Sequence, residues 1–352
     1  MTTSVDRWFT AGLPGLRGPG SVAVLSRADV LRCLDALDVV ALVRRTLADH
    51  DAGRCVLPGE AYLRWDNSRG AYTRSIGMPG AVPGAYGMKI INASVSNPEA
   101  GLERAGGVGL CFDPETARIM AVVEVGIVSA VRTAAVSALA VDLTGHADAE
   151  SLTVLGCGAQ GGTHAALLLE TLPRLSRVTL HDHVGASAHG LAQRLRRLRP
   201  ELDVRVTAEA ATAVAASQVT IATTTADAGY LPPAWIPAGA LVVNVSLADL
   251  TVEALLAAGA LYVDDVDLVA ENPRRPLGAL MAQGRVTRPG SATGRAIDGT
   301  IGGLVTGRHR LVRTDSFTVV NPFGMGVLDV ALIEAVRRHA VRTGLGSTVD
   351  LG

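Results

Sequence analysis

Residues 151–170 read SLTVLGCGAQGGTHAALLLE, and the fold turns on how they are interpreted. Five residues suited to a strand run into glycines, and the glycines run into a helix-forming stretch. Gly156, Gly158 and Gly161 make G-x-G-x-x-G at that junction. In such a turn Gly156 permits the tight reversal, Gly158 lets a pyrophosphate approach the bare backbone, and Gly161 lets helix and strand pack closely. The helix that opens with Ala159 and Gln160 would offer free N–H groups and a partial positive charge to the phosphates. A second strand, RVTLHD, ends in Asp182, about twenty residues past the glycines, where a carboxylate can hold a ribose 2′-hydroxyl. An acid there repels a 2′-phosphate, so NAD is the expected cofactor rather than NADP. A structural glycine turn beside a solvated Asp is the plainer alternative, and FAD and S-adenosylmethionine use related turns.

Working outward, SLTVL, RVTLHD, DVRVT, QVTIATT, ALVVNVS and ALYVDD suit strands, while GTHAALLLETL, SAHGLAQRLRRL and TVEALLAAG suit helices. That alternation specifies a parallel sheet with helices on both faces. Ligands of such sheets lie beyond the carboxyl ends of the strands. Thr223, Thr224 and Ser246 fall there and are expected to line the dinucleotide, although small hydroxyl residues also cap helices. Upstream, residues 54–125 alternate short apolar runs with Pro, Gly and Asn and predict an antiparallel, strand-rich module. FDPETARIM predicts a hairpin connection within it. Before it, Ser26 predicts the cap of one helix through DVLRCLDALDVVALVRRTLADHDAG. After it come a helix over 126–142 and a polar linker at 146–150. Past residue 310, SFTVVNPFGMGVLDVALIEAVRRHAV predicts one strand and a last helix that packs back on the first module. The expected class is therefore α/β, with a Rossmann-type doubly wound parallel sheet (146–314) inserted into a strand-rich α+β domain (21–145 plus 315–352). Residues 1–20 form a Gly- and Pro-rich arm.

Composition agrees with this and excludes other classes. The 352 residues allow two domains, 48% are hydrophobic and only 3% aromatic, which suits small aliphatic side chains packed on a parallel sheet. A net charge of -1 offers no electrostatic footprint for nucleic acid or an anionic membrane. The most apolar stretch, 119–143, is interrupted by Glu124 and Arg132, which a membrane span would tolerate poorly. The first residues lack the charged end and apolar run of a signal peptide. Cys33, Cys55, Cys111 and Cys157 show neither disulfide-like nor metal-like spacing, so no metal is expected and the cytoplasm is the natural compartment.

The first module carries Arg64, Arg74, Lys89, Arg104 and Arg132. Lys89 lies in GMKIIN, among apolar residues, where a lone Lys is usually at an edge or snorkels outward. Arg132 lies in a helix that is apolar nearly all round and must find an anion, either the protein carboxylate Glu124 or a substrate carboxylate. Asp249 follows the strand VVNV. It sits either at the mouth of the nucleotide crevice or as the cap of the helix in TVEALLAAG.

In order, these pieces resemble the ornithine cyclodeaminase/μ-crystallin family. The resemblance rests on GMKIIN followed by SAVRTAA, on the turn GCGAQG with its Gln160, and on N-x-x-x-x-D from Asn244 to Asp249. It extends over nearly the whole chain from about residue 24. Within the family the chain is most similar to the N-(2-amino-2-carboxyethyl)-L-glutamate dehydrogenases, which supply 2,3-diaminopropionate for siderophores and peptide antibiotics. TRSIGMPG, NPEAGLERAGG, VSLADL, YVDDVDLV and NPFGMGVLD carry that likeness. The chain departs from the branch at Glu103-Arg104-Ala105-Gly106, where Pro-Arg-Ala-Ser is expected. The resemblance implies that the dinucleotide domain follows a substrate-binding and dimerisation domain, that the protein is a homodimer, and that a small amino-acid substrate is the partner. It implies substrate-carboxylate contacts for Arg64, Arg74, Arg132 and Lys89, with Lys89 also serving proton transfer, and a catalytic Asp249. It further implies NAD-dependent oxidation of the amine-bearing carbon and hydrolysis of the imine to 2,3-diaminopropionate and 2-oxoglutarate. A cyclodeaminase that recycles its NAD, a ketimine or imine reductase and a non-catalytic binding protein are the alternatives.

Overall fold

Two sheets organise the chain in the computed structural model, which describes residues 20–351. The expected N-terminal arm lies outside the described residues apart from Gly20. The first sheet contains β1 (Ser21–Leu25), β2 (Ala61–Asp66), β3 (Tyr72–Val82), β4 (Ala85–Ser94), β5 (Ala105–Phe112), β6 (Ile119–Glu124) and β17 (Ser347–Asp350), in the order β17-β1-β6-β5-β4-β3-β2. Strands β2 to β6 pair antiparallel, and FDPETARIM turns β5 into β6 as expected. β1 and β17 were not anticipated; they extend the sheet beyond β6.

The expected single helix from Ser26 is two helices, α1 (Arg27–Leu34) and α2 (Val39–Asp51). Ser26 and Asp29 form a capping box on α1, and Asp38 accepts from the Ala41 N–H at 2.9 Å to start α2. An internal Asp that satisfies free N–H groups opens a new helix as readily as it continues an old one.

Next comes α3 (Gly126–Leu143), apolar on every side because it is a shared layer. It packs against α2, against α4 (Ala159–Thr171) and against α6 (Gly326–Thr343). Long and apolar enough to cross a membrane, it is mostly buried inside the protein, and Ala134, Ala135 and Ala138 let its neighbours approach closely. One further long helix, α5 (Gly185–Leu198), follows the second strand of the parallel sheet.

The second sheet is wholly parallel. It contains β7 (Ser151–Leu155), β8 (Arg177–His181), β9 (Asp203–Val206), β10 (Val219–Ala222), β11 (Leu241–Asn244), β12 (Ala260–Val263), β15 (Gly299–Thr300) and β16 (Thr318–Asn321), in the order β15-β12-β16-β11-β10-β7-β8-β9. A two-stranded pair, β13 (Val286–Thr287) and β14 (Arg295–Ala296), stands apart. The strand order reverses between β7 and β10, the crevice where doubly wound sheets bind ligands. The placement of β16 corrects the expected boundary at residue 315. All four of its residues are buried, and it lies between β12 and β11 rather than in the first sheet. TVVN is β-branched and apolar enough to be covered on both faces, which a central parallel strand needs and a half-exposed antiparallel one does not. The chain therefore returns to the first sheet only after Asn321, through α6.

Candidate active site

The glycine turn sits at the carboxyl end of β7. Gly156 has φ +84°, and a Cβ there would fall 2.7 Å from the Thr223 carbonyl oxygen. A Cβ on Gly161 would fall 2.0 Å from the Gly156 oxygen, whereas one on Gly158 would meet nothing within 4 Å. Two of the glycines thus permit close packing of the protein on itself, and the third opens on free space. The Thr223 hydroxyl donates to the carbonyls of Leu155 (3.0 Å) and Gly156 (2.9 Å) and so fastens the turn. Asp182 braces the same turn from β8: its carboxylate accepts from the N–H of Cys157 (2.7 Å) and of Val184 (2.8 Å). A cleft of about 470 Å³ lies beside the turn, lined by Cys157, Gly158 and Ala159 and, from α5, by Ser187 and Arg194. Arg194 was not singled out in the sequence, where it looks like any cation on a polar helix face. Gln160 keeps a buried Oε1 without a hydrogen-bond partner.

Asp249 stands five residues beyond β11, past Leu247 in the left-handed region (φ 70°), and is wholly buried. Its carboxylate accepts from the hydroxyls of Thr224 and Ser246 and from Tyr230 at 3.2 Å. Ser246 also donates to the Ala222 carbonyl at 3.1 Å. Burial and the Asp249 charge push the Tyr230 hydroxyl far up, so it remains a donor. The helix-capping alternative for Asp249 does not hold, because Thr251 caps Val252–Ala257 by accepting from the Ala254 N–H. Tyr230 escaped sequence analysis because a lone Tyr in a loop carries no spacing signal.

The cations gather on the opposite wall. Lys89 lies on β4, a central strand, and is 1% exposed, contrary to an edge or snorkelling position. Its Nζ donates to Asp329 Oδ2 at 2.8 Å and to the Ser129 hydroxyl at 3.3 Å, and Arg132 Nε donates to Asp329 Oδ1 at 3.1 Å. Asp329 is fully buried in the first turn of α6. Two buried cations therefore share one carboxylate, leaving one net positive charge. Burial lowers the Lys89 pKa to about 8, with Asp329 opposing the shift. Glu124, the expected protein partner of Arg132, caps α3 instead, accepting from the N–H groups of Gly126 (2.7 Å) and Ile127 (3.3 Å). A carboxylate two residues before a helix is captured by the free donors of its first turn. Glu60, half-buried ahead of β2, also escaped notice; burial raises its pKa, and Lys89, Arg132 and Arg74 pull it back. The register of β2 on β3 and β3 on β4 places Arg64, Arg74 and Lys89 on one face of the sheet. Arg64 is exposed, its guanidinium 4.9 Å from the Tyr72 ring centre.

Two adjacent strands of the parallel sheet relate the two groups. Asp264, after β12, accepts from the N–H groups of Phe323 (2.8 Å) and Gly324 (2.6 Å) and so pins the turn that follows β16. A Cβ on Gly324 would lie 3.2 Å from Arg132 Nη1. The Arg132 guanidinium is thus seated beyond β16, and Asp249 beyond its neighbour β11. Among the described residues no hydrogen bond or ion pair joins Asp249 to Lys89 or Arg132. The arrangement sets a cationic cluster and a buried carboxylate past adjacent strands of the sheet whose β7 ends in the glycine turn.

The family model for the ornithine cyclodeaminase/mu-crystallin family matches residues 21–344. The chain is 30% identical over 311 residues to the N-((2S)-2-amino-2-carboxyethyl)-L-glutamate dehydrogenase of Staphylococcus aureus (strain NCTC 8325 / PS 47), covering 87% of this chain and 90% of that one. The solved structure of CmnK is 40% identical and superposes with a TM-score of 0.86, covering 94% of this chain and 98% of that one. An archaeal alanine dehydrogenase dimer with bound NAD superposes with a TM-score of 0.80 at 21% identity, covering 94% and 100%. At that identity the likeness is one of fold.

Proposed function

The chain belongs to the ornithine cyclodeaminase/mu-crystallin family, and from that premise we propose that it is an NAD-dependent dehydrogenase acting on an N-linked amino acid. The substrate is of the N-(2-amino-2-carboxyethyl)-L-glutamate type, oxidised at the carbon that bears the nitrogen. Hydrolysis of the resulting imine gives 2,3-diaminopropionate and 2-oxoglutarate. One observation carries this reading: the fully buried Asp249 carboxylate lies just past β11, and the guanidinium of Arg132, ion-paired with Lys89 through Asp329, lies against Gly324, just past the neighbouring β16.

The residues present fit a dinucleotide. The free space over Gly158 and the first turn of α4 would hold its pyrophosphate, Asp182 a ribose hydroxyl, and the unpartnered Gln160 Oε1 is an acceptor left over beside them. NAD bound there supplies the hydride acceptor. Asp249 takes the proton from the substrate's secondary ammonium, because only the neutral nitrogen has the lone pair that drives hydride departure. Its three hydroxyl neighbours donate to the carboxylate and can turn to accept once it is protonated. Lys89 and Arg132 hold a substrate carboxylate and orient the C–H bond that breaks. With a pKa of about 8, Lys89 is partly neutral near that pH and can accept the proton of the water that adds to the imine. Lys89 passes that proton to the nitrogen of the adduct, and as the C–N bond breaks the hydroxyl proton goes to Lys89 while the amine departs.

The protein acts as a homodimer in this reading. Among the described residues no element covers the outer face of β2–β5, where Leu63, Trp65, Tyr86 and Val108 are exposed, whereas α6 packs the inner face. Such a contiguous apolar surface is typical of an interface. All four cysteines are free thiols, as the cytoplasm requires.

The deciding experiment offers NAD⁺ with N-(2-amino-2-carboxyethyl)-L-glutamate, ornithine or lysine and follows NADH and products by absorbance and mass. NADH accumulating in step with 2-oxoglutarate is the expected result. Ammonia released from ornithine or lysine without net NADH would overturn the reading in favour of a cyclodeaminase.

A further inference from the structure

Arg104 is a cation that neither the glycine turn nor the Lys89–Arg132–Asp329 cluster employs. It stands just before β5, and its carbonyl accepts the Ser94 N–H at 3.0 Å, which ties it to the end of β4. The next residue, Ala105, pairs with Ala93, and Ala93 pairs with Arg74, so the two arginines occupy the same end of the sheet. Arg104 is half-buried, and its Nε is a buried donor with no hydrogen-bond partner. Burial and then the charge of Arg74 lower the Arg104 pKa; no carboxylate counters either effect. Among the described residues neither arginine makes an ion pair.

The neighbours strengthen the case. Glu103 turns away and pairs with Arg27 at the surface (2.8 Å), so it does not neutralise Arg104. Tyr62 and Tyr72, hydrogen-bonded through their hydroxyls, close the same end. Burial raises the Tyr72 pKa, yet the Tyr62 hydrogen bond and the charges of Arg74 and Arg275 bring it below the ordinary phenol value. Arg275 comes from the parallel-sheet module, so both modules direct positive charge here. Two guanidinium groups at one end of the sheet, one with an orphaned buried donor, are costly unless an anion completes them.

We propose that Arg74 and Arg104 form a subsite for the side-chain carboxylate of the substrate's glutamate-type half, which makes acidic N-linked amino acids the substrate class and disfavours ornithine- or proline-like ones. The proposal rests on the substrate-pocket assignment under Proposed function. Its test is the discrimination between 2-oxoglutarate and 2-oxopentanoate, which differ in the distal carboxylate, measured by calorimetry on the NADH-loaded enzyme. The wild type should favour 2-oxoglutarate about tenfold or more, the usual worth of a charge-assisted hydrogen bond. Arg104→Gln should bring the two affinities within about twofold by weakening 2-oxoglutarate alone, and Arg104→Lys should restore part of the preference. In turnover, Arg104→Gln should raise KM for N-(2-amino-2-carboxyethyl)-L-glutamate about tenfold with kcat within about threefold. Discrimination that survives in Arg104→Gln would overturn the subsite while leaving the dehydrogenase reading intact. Equal affinities in the wild type would overturn the subsite too. A wild type that discriminates yet oxidises none of the N-linked substrates would leave the subsite standing and remove the proposed reaction.

Discussion

Asp249 is the side chain on which turnover should depend most directly. Asp249→Asn keeps the shape and the hydroxyl contacts but removes the proton acceptor. Turnover should fall by about a thousandfold or more, while NADH affinity measured by fluorescence stays within about twofold. A near-native rate would show that the proton goes elsewhere. Asp329 presents the reverse case, since its role is to hold two cations inside the protein. Asp329→Asn removes the one carboxylate bonded to Lys89 and Arg132, leaving only the half-buried Glu60 to oppose their charge, and denaturant unfolding should show a loss of about 3–5 kcal/mol. The difference between these residues explains what could be recognised in advance. Asp249 lies at a set distance from a strand in a motif, so its position was legible. Lys89 and Asp329 are 240 residues apart in the chain, and no local pattern announces such a pairing. Glu124 drew attention as the partner of Arg132 because it is near in sequence, yet the free donors at the start of α3 hold it.

Between elements, the contact of α3 with α4 joins the substrate-side and dinucleotide-side layers, and His164 sits inside it. The imidazole is wholly buried, hydrogen-bonded to the Gln160 carbonyl at 2.8 Å and the Ser137 hydroxyl at 3.0 Å. Burial lowers its pKa to about 4 from the ordinary 6.5. Between those values the unfolded chain binds a proton that the folded one refuses. Stability is therefore present above pH 6.5 and is lost as pH falls towards 4, by roughly 3 kcal/mol in total. Urea unfolding across this range should show the loss, and His164→Gln should flatten the slope; an equal slope in the variant would assign the acid sensitivity to other groups. The glycine turn was legible because its conformational demands select residue types directly: positive φ at Gly156 and near-contact at Gly161 admit no side chain. The break between α1 and α2 was not, because the apolar periodicity continues across Asp38 while the hydrogen bonds do not.

At the scale of the whole molecule, the α/β architecture and the insertion of a parallel sheet into a strand-rich module were readable from the change in hydrophobic rhythm at residue 151. The boundary of the return was not, because a strand buried on both faces and one buried on a single face look alike over four residues. The uncovered face of the first sheet leads to a quaternary prediction. Leu63→Glu together with Val108→Lys should convert a dimer to a monomer in sedimentation, with the secondary structure unchanged by circular dichroism. A dimer that persists would place the interface elsewhere. The route of the chain from β16 into α6 has a further consequence for biosynthesis. Lys89 and Arg132 leave the ribosome 240 and 197 residues before Asp329 and the rest of α6. Until those emerge, the nascent first module contains a pair of ammonium and guanidinium groups that cannot be enclosed, so this module stays open while the intervening nucleotide-type sheet folds. The order of assembly is thereby imposed by where one acid is encoded: the two halves close around each other only after that acid has emerged.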